Sequence, residues 1–112
     1  MTVIREQEST KEVIGEKRVR YLTHTENLMM VVIDFDDGPT SEPDPPHSHP
    51  HEQLSYVAEG EVIFFLDGSP HPLKKGDMFT VAPDIPHSVQ LLTPHVRLVD
   101  TFTPLREDFL GS

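Results

Sequence analysis

The chain has 112 residues, which suits one domain with a core of its own and is short for two. Acidic residues outnumber basic ones by 19 to 9, and the net charge of −10 argues against the Lys- and Arg-rich surface that nucleic acid binding requires. There is no cysteine, which excludes disulfides and thiolate chemistry, and no apolar run is long enough for a membrane-spanning helix.

Residues 1–17 precede the first strongly patterned segment. They mix charged side chains with apolar ones too sparse for an amphipathic helix, so we predict an arm or an edge strand ahead of a domain at 18–112. The first nine residues lack the apolar stretch of a secretory signal, and we expect a cytoplasmic location. The overall acidity favours solubility. It does not exclude an anionic substrate, because one metal ion or arginine can make the electrostatic potential of a binding site positive.

Short strands separated by turns make up the remainder of the chain. Residues 18–22 alternate in polarity, and 28–35 form a continuous apolar run typical of a strand covered on both faces. Asp67-Gly68 is the strongest hairpin signal. The other predicted strands are 53–58, 61–66, 71–73, 78–81, 86–92 and 96–102. Eight or so short strands with no helical period predict an all-β sandwich or barrel.

A pair of histidines follows the proline-rich loop at 39–46, which restricts the approach to them. In an extended backbone, residues i and i+2 point to the same face about 7 Å apart, so His47 and His49 can aim both imidazoles at one metal ion. Gln53 has the same parity and offers a carbonyl oxygen. His51 shares this parity too, but the proline before it is expected to bend the strand and keep it from the metal.

A further ligand is expected on a distant strand. His87 opens the strand at 86–92 and shares a face with Val89 and Leu91, so it is predicted to point inward. A lone inward histidine is more often a core residue, but together with His-x-His on another strand it becomes a candidate ligand. Imidazole-rich sites suit one divalent transition metal (Zn, Ni, Fe, Mn or Cu), and affinity alone does not choose among them. The remaining histidines are predicted at the surface: His24, His71 and His95.

The strand at 96–102 carries a carboxylate among apolar side chains. Asp100 shares one strand face with three apolar residues and is therefore expected to lie in the interior. A buried carboxylate is costly unless it is paired or used. Two interpretations stay open: an ion pair with Arg97 or Arg106, or a general acid/base near the metal whose pKa is tuned by desolvation and by the cation.

Two segments resemble the motifs of the cupin superfamily. The spacing H-x-H-x3-Q-x6-G at 47–60 resembles the first cupin motif, and 76–87, with its Gly, Asp, proline turn and His, resembles the second. The resemblance implies a single-domain β-barrel of the cupin type, a double-stranded β-helix or jelly roll. The metal ligands it implies are His47, His49, Gln53 and His87. Gln53 stands where many cupins have Glu, which leaves the ligand set neutral and strengthens Lewis-acid polarisation by the ion.

The C-terminal pattern D-x-F-x-P-x-R at 100–106, followed by an acidic pair and an aromatic residue, is similar to the tail of the KdgF-type pectin-degradation cupins. Those proteins linearise unsaturated uronates, so the resemblance implies a metal-dependent isomerase or lyase acting on a small anionic molecule. It also implies that Asp100 moves the proton, Phe102 lines the pocket and Arg106 binds a carboxylate. Because cupins commonly form dimers, a homodimer is expected. The alternatives are an iron-dependent cupin dioxygenase and a non-catalytic domain that binds or senses a small molecule.

Overall fold

The computed structural model describes residues 2–110, and nine β-strands organise them. The strands are β1 Thr10–Gly15, β2 Arg18–His24, β3 Met29–Phe35, β4 Glu52–Glu59, β5 Glu61–Leu66, β6 Ser69–Lys74, β7 Met78–Val81, β8 His87–Leu91 and β9 Val96–Thr103. They form a six-stranded sheet in the order β1-β2-β3-β9-β4-β7 and a three-stranded sheet in the order β6-β5-β8. Short 3₁₀ helices lie at Glu6–Glu8 and Glu107–Leu110, and no helix within 2–110 has the length and apolar character needed to cross a membrane. The predicted all-β class is confirmed.

Apolar side chains from both sheets meet in the core. One cluster joins the two sheets and contains Phe35, Val57, Val62, Leu91, Val96 and Leu98. A second lies toward the other end of the larger sheet and contains Leu22, Met29, Val31 and Phe102. The expectation that β3 is covered on both faces is wrong, because Met30 on its outer face is 46% exposed while Met29 and Val31 are fully buried. The run is apolar on both faces, but only the inner face has a second sheet packed against it.

The hairpin predicted at Asp67-Gly68 is confirmed. The two residues connect β5 and β6 with φ angles of 49° and 83°, as the type I′ turn of a two-residue hairpin requires. The strand β6 is longer than the predicted 71–73. It includes prolines 70 and 72, although proline is unusual inside a strand. β6 is an edge strand, and an edge accepts proline where its missing N–H faces solvent. At the edge of the larger sheet, Thr10–Gly15 pairs with β2.

The proline-rich loop at 39–46 runs antiparallel along β8 and continues the smaller sheet without being a regular strand. The N–H of Asp44 donates to the carbonyl of Val89 over 3.0 Å. Further along, His47 and His87 exchange both backbone hydrogen bonds, over 3.0 Å and 2.9 Å. This pairing holds His47 beside His87, although 40 residues separate them in the sequence (87 − 47).

His95 forms a charge cluster at the end of the larger sheet. Its Nδ1 lies 2.7 Å from an Asp36 oxygen and its Nε2 lies 2.7 Å from a Glu59 oxygen, with an Asp34 oxygen 4.0 Å away. The hydrogen bond to Asp36 is the main reason why the pKa of His95 is raised above 6.5, and Glu59 acts in the same direction. Its side chain is 41% exposed, in line with its predicted surface position.

We expect the substitution His95→Gln to remove stability that the protein has only when this imidazole is charged. Because the pKa is raised in the folded state, the contribution is complete below the unfolded value of 6.5 and is lost as the pH rises through the folded value. Thermal unfolding of both proteins between about pH 5.5 and about pH 9 measures it. The difference in Tm should be largest at the acid end and close to zero at the alkaline end. A difference independent of pH would contradict the prediction.

Candidate metal centre

Three histidines meet at one point inside the barrel. One ring nitrogen each from His47, His49 and His87 lies within 4.8 Å of the other two. The ring of His87 is central, with centroids 4.3 Å from His47 and 4.9 Å from His49. Among residues 2–110, these side chains are the one group of His, Asp or Glu residues placed closely enough to share a metal ion.

The expectation that His47 and His49 lie on one extended strand is wrong. His47 forms an isolated bridge with His87, and residues 48 to 51 belong to no strand, with a bend at 50 and 51 just before β4 begins. Prolines on both sides of the pair lack the N–H donors that a regular strand needs. The pairing of the loop with β8 brings His87 to the other two imidazoles.

The contact between the side chains of His49 and Gln53 indicates a bound cation between them. The Nδ1 of His49 is 3.1 Å from the carbonyl oxygen of His51, and its Nε2 is 3.0 Å from the Oε1 of Gln53. The amide nitrogen of Gln53 donates to Ser55 over 2.9 Å, which turns the amide oxygen toward His49. A neutral imidazole has one proton, so either tautomer leaves one of these two contacts between acceptors. Two ligand atoms that bind one metal ion at about 2.1 Å and at right angles to each other are about 3 Å apart. The distance between His49 and Gln53 therefore fits two ligands of the same ion.

His87 presents an unused lone pair at the same point. Its Nδ1 is 2.9 Å from the carbonyl oxygen of Ile85 and donates to it, which leaves Nε2 as the acceptor. That Nε2 is buried and has no hydrogen-bond partner. A buried polar atom without a partner is costly, and a metal ion would satisfy it. Metal-bound histidines commonly donate their other ring N–H to a backbone carbonyl in this way.

All three imidazoles are held in the neutral form that binds metals. Desolvation is the main cause, and it lowers the pKa of His47 to about 4, with His87 and His49 adding to the effect. Desolvation also lowers the pKa of His49 and His87. The positive charge of Arg106 acts in the same direction on each of the three. His49 and His87 are buried, whereas His47 lies at the exposed rim with its ring toward its neighbours. These residues therefore fit a divalent transition metal.

A chain of hydrogen bonds connects Gln53 to Asp100. The register of β4 and β9 places Ser55 opposite Asp100, and the hydroxyl of Ser55 donates to an Asp100 oxygen over 2.6 Å. Burial raises the pKa of Asp100 to about 6, although the hydrogen bond from Ser55 opposes that shift. Ser55 is absent from the residues predicted for the site. Its parity with Gln53 on β4 is the signal that could have identified it.

Neither of the arginines considered as a partner forms an ion pair with Asp100. Arg97 lies on the outer face of β9, since alternate residues of a strand face opposite sides, and its Nε donates to Asp34 over 2.7 Å. Arg106 binds Asp108 over 2.7 Å. Asp100 is thus a buried carboxyl group whose hydrogen bonds come from neutral side chains.

Arg106 packs against two aromatic rings beside the histidines. Its guanidinium carbon is 3.9 Å from the ring centroid of Phe109 and 5.2 Å from that of Phe102. The ring of Phe102 in turn meets His49 edge-on, with 5.5 Å between centroids. Only 13% of the Arg106 side chain is exposed, so stacking and burial hold its charge in place.

One cavity of about 220 Å³ joins the predicted site residues. Its lining includes His47, Gln53, His87, Asp100, Phe102 and Arg106. His49 stands against Gln53 and Phe102 at its edge. Pockets for drug-sized ligands hold roughly 300–1,000 Å³, so this cavity suits a smaller molecule.

Comparison with known proteins places the chain in a family. A family model described as a cupin domain matches residues 31–101. The pectin degradation protein KdgF of Dickeya dadantii (strain 3937) is 37% identical over 97 residues, which cover 86% of this chain and 84% of that protein.

Two solved structures agree with the sequence matches. KdgF from Halomonas sp. has a TM-score of 0.85 and 29% identity, covering 97% of this chain and 98% of that one. An RmlC-like cupin from Shewanella frigidimarina NCIMB 400 has a TM-score of 0.80 and 39% identity, covering 92% and 90%. The predicted cupin-type barrel and the predicted relationship to KdgF are confirmed. The chain belongs to the cupin family and, within it, to the family of the pectin degradation protein KdgF.

Proposed function

We propose that this protein is a metal-dependent isomerase that linearises 4,5-unsaturated uronates. One observation carries the proposal: a cluster of neutral histidines, a buried carboxyl group and a largely buried arginine surround one small cavity. Relationship to a pectin degradation protein supports a uronate as the substrate class.

His47, His49, His87 and the carbonyl oxygen of Gln53 would hold a divalent transition ion, which polarises a substrate oxygen as a Lewis acid. All four donors are neutral, so no ligand charge reduces that polarisation. The backbone carbonyls of His51 and Ile85 orient the rings of His49 and His87.

Asp100 would move the proton. Linearisation removes the proton of the anomeric hydroxyl and breaks the bond between C1 and the ring oxygen, which gives an aldehyde at C1 and an enol at C5. The enol becomes a ketone at C5 as C4 takes up a proton, so atoms and electrons balance without a redox partner. A single carboxyl group that both donates and accepts can serve both transfers. Asp100 lines the cavity, burial raises its pKa to about 6, and Ser55 fixes its orientation.

Arg106 would bind the substrate carboxylate, with Phe102 forming the wall between it and His49. In the structure Arg106 is paired with Asp108, whose side chain is 56% exposed. A substrate carboxylate entering the cavity could replace this solvent-facing partner and form a bidentate contact with the guanidinium. An arginine in the wall of this small cavity therefore favours a substrate that is both small and anionic.

The metal-loaded protein is expected to convert 4,5-unsaturated galacturonate to its linear product at equal rates with and without oxygen. Elemental analysis identifies the bound metal first, and NMR then follows loss of the ring double bond and appearance of the aldehyde. The three histidines also suit the iron-dependent dioxygenase, for which turnover would require oxygen. If the protein binds the uronate tightly but does not convert it with Zn, Ni, Fe, Mn or Cu, the result would favour the non-catalytic alternative and contradict the proposal.

A further inference from the structure

The cavity has a second charged end that the proposed reaction does not use. Arg18 and Asp44 line the same cavity as Arg106. Arg18 lies opposite the last residue of β3, whereas Arg106 packs against Phe102, which lies opposite the first residue of β3. The two charged groups therefore stand at opposite ends of the cavity.

Arg18 and Asp44 form a paired contact across the barrel. The two terminal nitrogens of Arg18 donate to the two oxygens of Asp44, over 2.7 Å and 3.2 Å. The Nε of Arg18 donates to Asp37, over 3.0 Å and 3.1 Å to its two oxygens. Asp44 lines the cavity, and Asp37 is not among the lining residues. Both carboxylates hold Arg18, but only Asp44 lines the cavity in which a ligand would bind.

The pair retains hydrogen-bonding capacity that matches a hydroxyl group. A guanidinium has five N–H donors, and Arg18 uses three of them; a carboxylate has about four acceptor positions, and Asp44 uses two. A hydroxyl both donates and accepts, so it can use the remaining groups of both residues. Two carboxylates against one guanidinium leave this end negative. An anionic group is therefore directed away from it and toward Arg106.

The backbone around Asp44 holds it rigidly relative to the metal centre. Prolines flank it on both sides, and its N–H donates to Val89 over 3.0 Å. His47 lies three residues further along the same loop (47 − 44) and bridges to His87. Asp44 is thus held in place by β8, the strand that carries His87 and pairs with His47.

We propose that Arg18 and Asp44 form a subsite for the hydroxyl groups at the end of the substrate remote from its carboxylate. The subsite selects a polyhydroxylated acid over a carboxylate of similar size without hydroxyls. This inference rests on the proposed function for the placement of the carboxylate at Arg106.

Calorimetric titration of the purified, metal-containing protein with galacturonate and with cyclohexanecarboxylate tests the subsite. Asp44→Asn should weaken galacturonate binding about tenfold or more, because it removes the charged acceptor. Binding of cyclohexanecarboxylate should change less than about twofold, since it has no hydroxyl to lose. Asp37→Asn is the matched control, since it also removes a carboxylate from Arg18 but not from the cavity, and it should weaken galacturonate binding several-fold less than Asp44→Asn does.

Equal losses of galacturonate affinity in the two variants would overturn the proposal, because the carboxylates would then only hold Arg18. Wild-type protein that binds galacturonate no better than cyclohexanecarboxylate, or binds neither, would overturn it as well. Asp44→Ser replaces Asp44→Asn if the latter does not fold, as judged by circular dichroism and metal content. Turnover is measured separately: hydroxyl-dependent binding without linearisation of an unsaturated uronate would contradict the proposed function and leave the subsite intact.

Discussion

Replacing His87 with alanine is expected to remove the metal ion from the purified protein and to abolish turnover, and His49→Ala should do the same. The Nε2 of His87 is buried without a partner, and the Nε2 of His49 faces an acceptor oxygen of Gln53 over 3.0 Å. Loss of a residue that merely orients a metal ligand costs about 10–100-fold in affinity, so loss of a ligand itself should cost more than about 100-fold. Elemental analysis of each variant measures the metal content, and the uronate assay measures the activity.

A histidine outside the cavity provides the control. His71 lies exposed on the edge strand β6, so His71→Ala should retain full metal content and full activity. Since alanine leaves a void at a buried position, His87→Gln provides a second variant of closer size. Folded His49 and His87 variants that keep the metal content of the wild type would eliminate this site as the metal centre.

Strand periodicity is enough to predict most of the fold and the inward orientation of the C-terminal site residues. Alternation along 96–102 predicts that Asp100 and Phe102 point inward, and both are at least 93% buried, with 7% and 2% exposure. The hairpin at Asp67-Gly68 follows from turn chemistry alone. Both signals are local, so a single sequence is enough to identify them.

The contacts within the site depend on pairings that a single sequence does not reveal. The partner of Asp100 is Ser55, which lies 45 residues away and is placed opposite it by the register of β4 and β9. Registers are selected by the packed structure as a whole, and a shift by one residue would put a different side chain in this position. Of the two interpretations left open for Asp100, the ion pair is the wrong one, because the two arginines pair with Asp34 and Asp108 instead.

The geometry of the histidines has the same origin. Parity predicts correctly that His47 and His49 lie together, although the segment is a loop and not a regular strand. Its course is set by hydrogen bonds to β8, and that strand also carries His87. Proline content predicts a restricted loop, but it contains no information about which strand the loop follows.

Asp100→Asn is expected to keep the metal and the fold while turnover falls by about 100- to 10,000-fold, the range for loss of a general acid or base. The amide has nearly the shape of the carboxyl group, and its oxygen can accept the hydrogen bond that Ser55 donates over 2.6 Å. Gln53 and the three histidines are unchanged, so the groups that would hold the ion remain. Elemental analysis, thermal unfolding and steady-state kinetics of one preparation measure the three properties together.

The direction of the stability change separates a catalytic Asp100 from a structural one. A buried carboxylate without a cationic partner costs free energy, and a neutral amide at the same position avoids that cost. If Asp100 serves only the reaction, Asp100→Asn should unfold at the same Tm as the wild type or higher, with kcat reduced and KM little changed. Asp34→Asn is the control, because it breaks the ion pair with Arg97 on the outer face and should lower the Tm slightly without affecting kcat. Full activity in Asp100→Asn would exclude this carboxyl group from the proton transfer, whereas a lowered Tm with unchanged kcat would assign it a structural role.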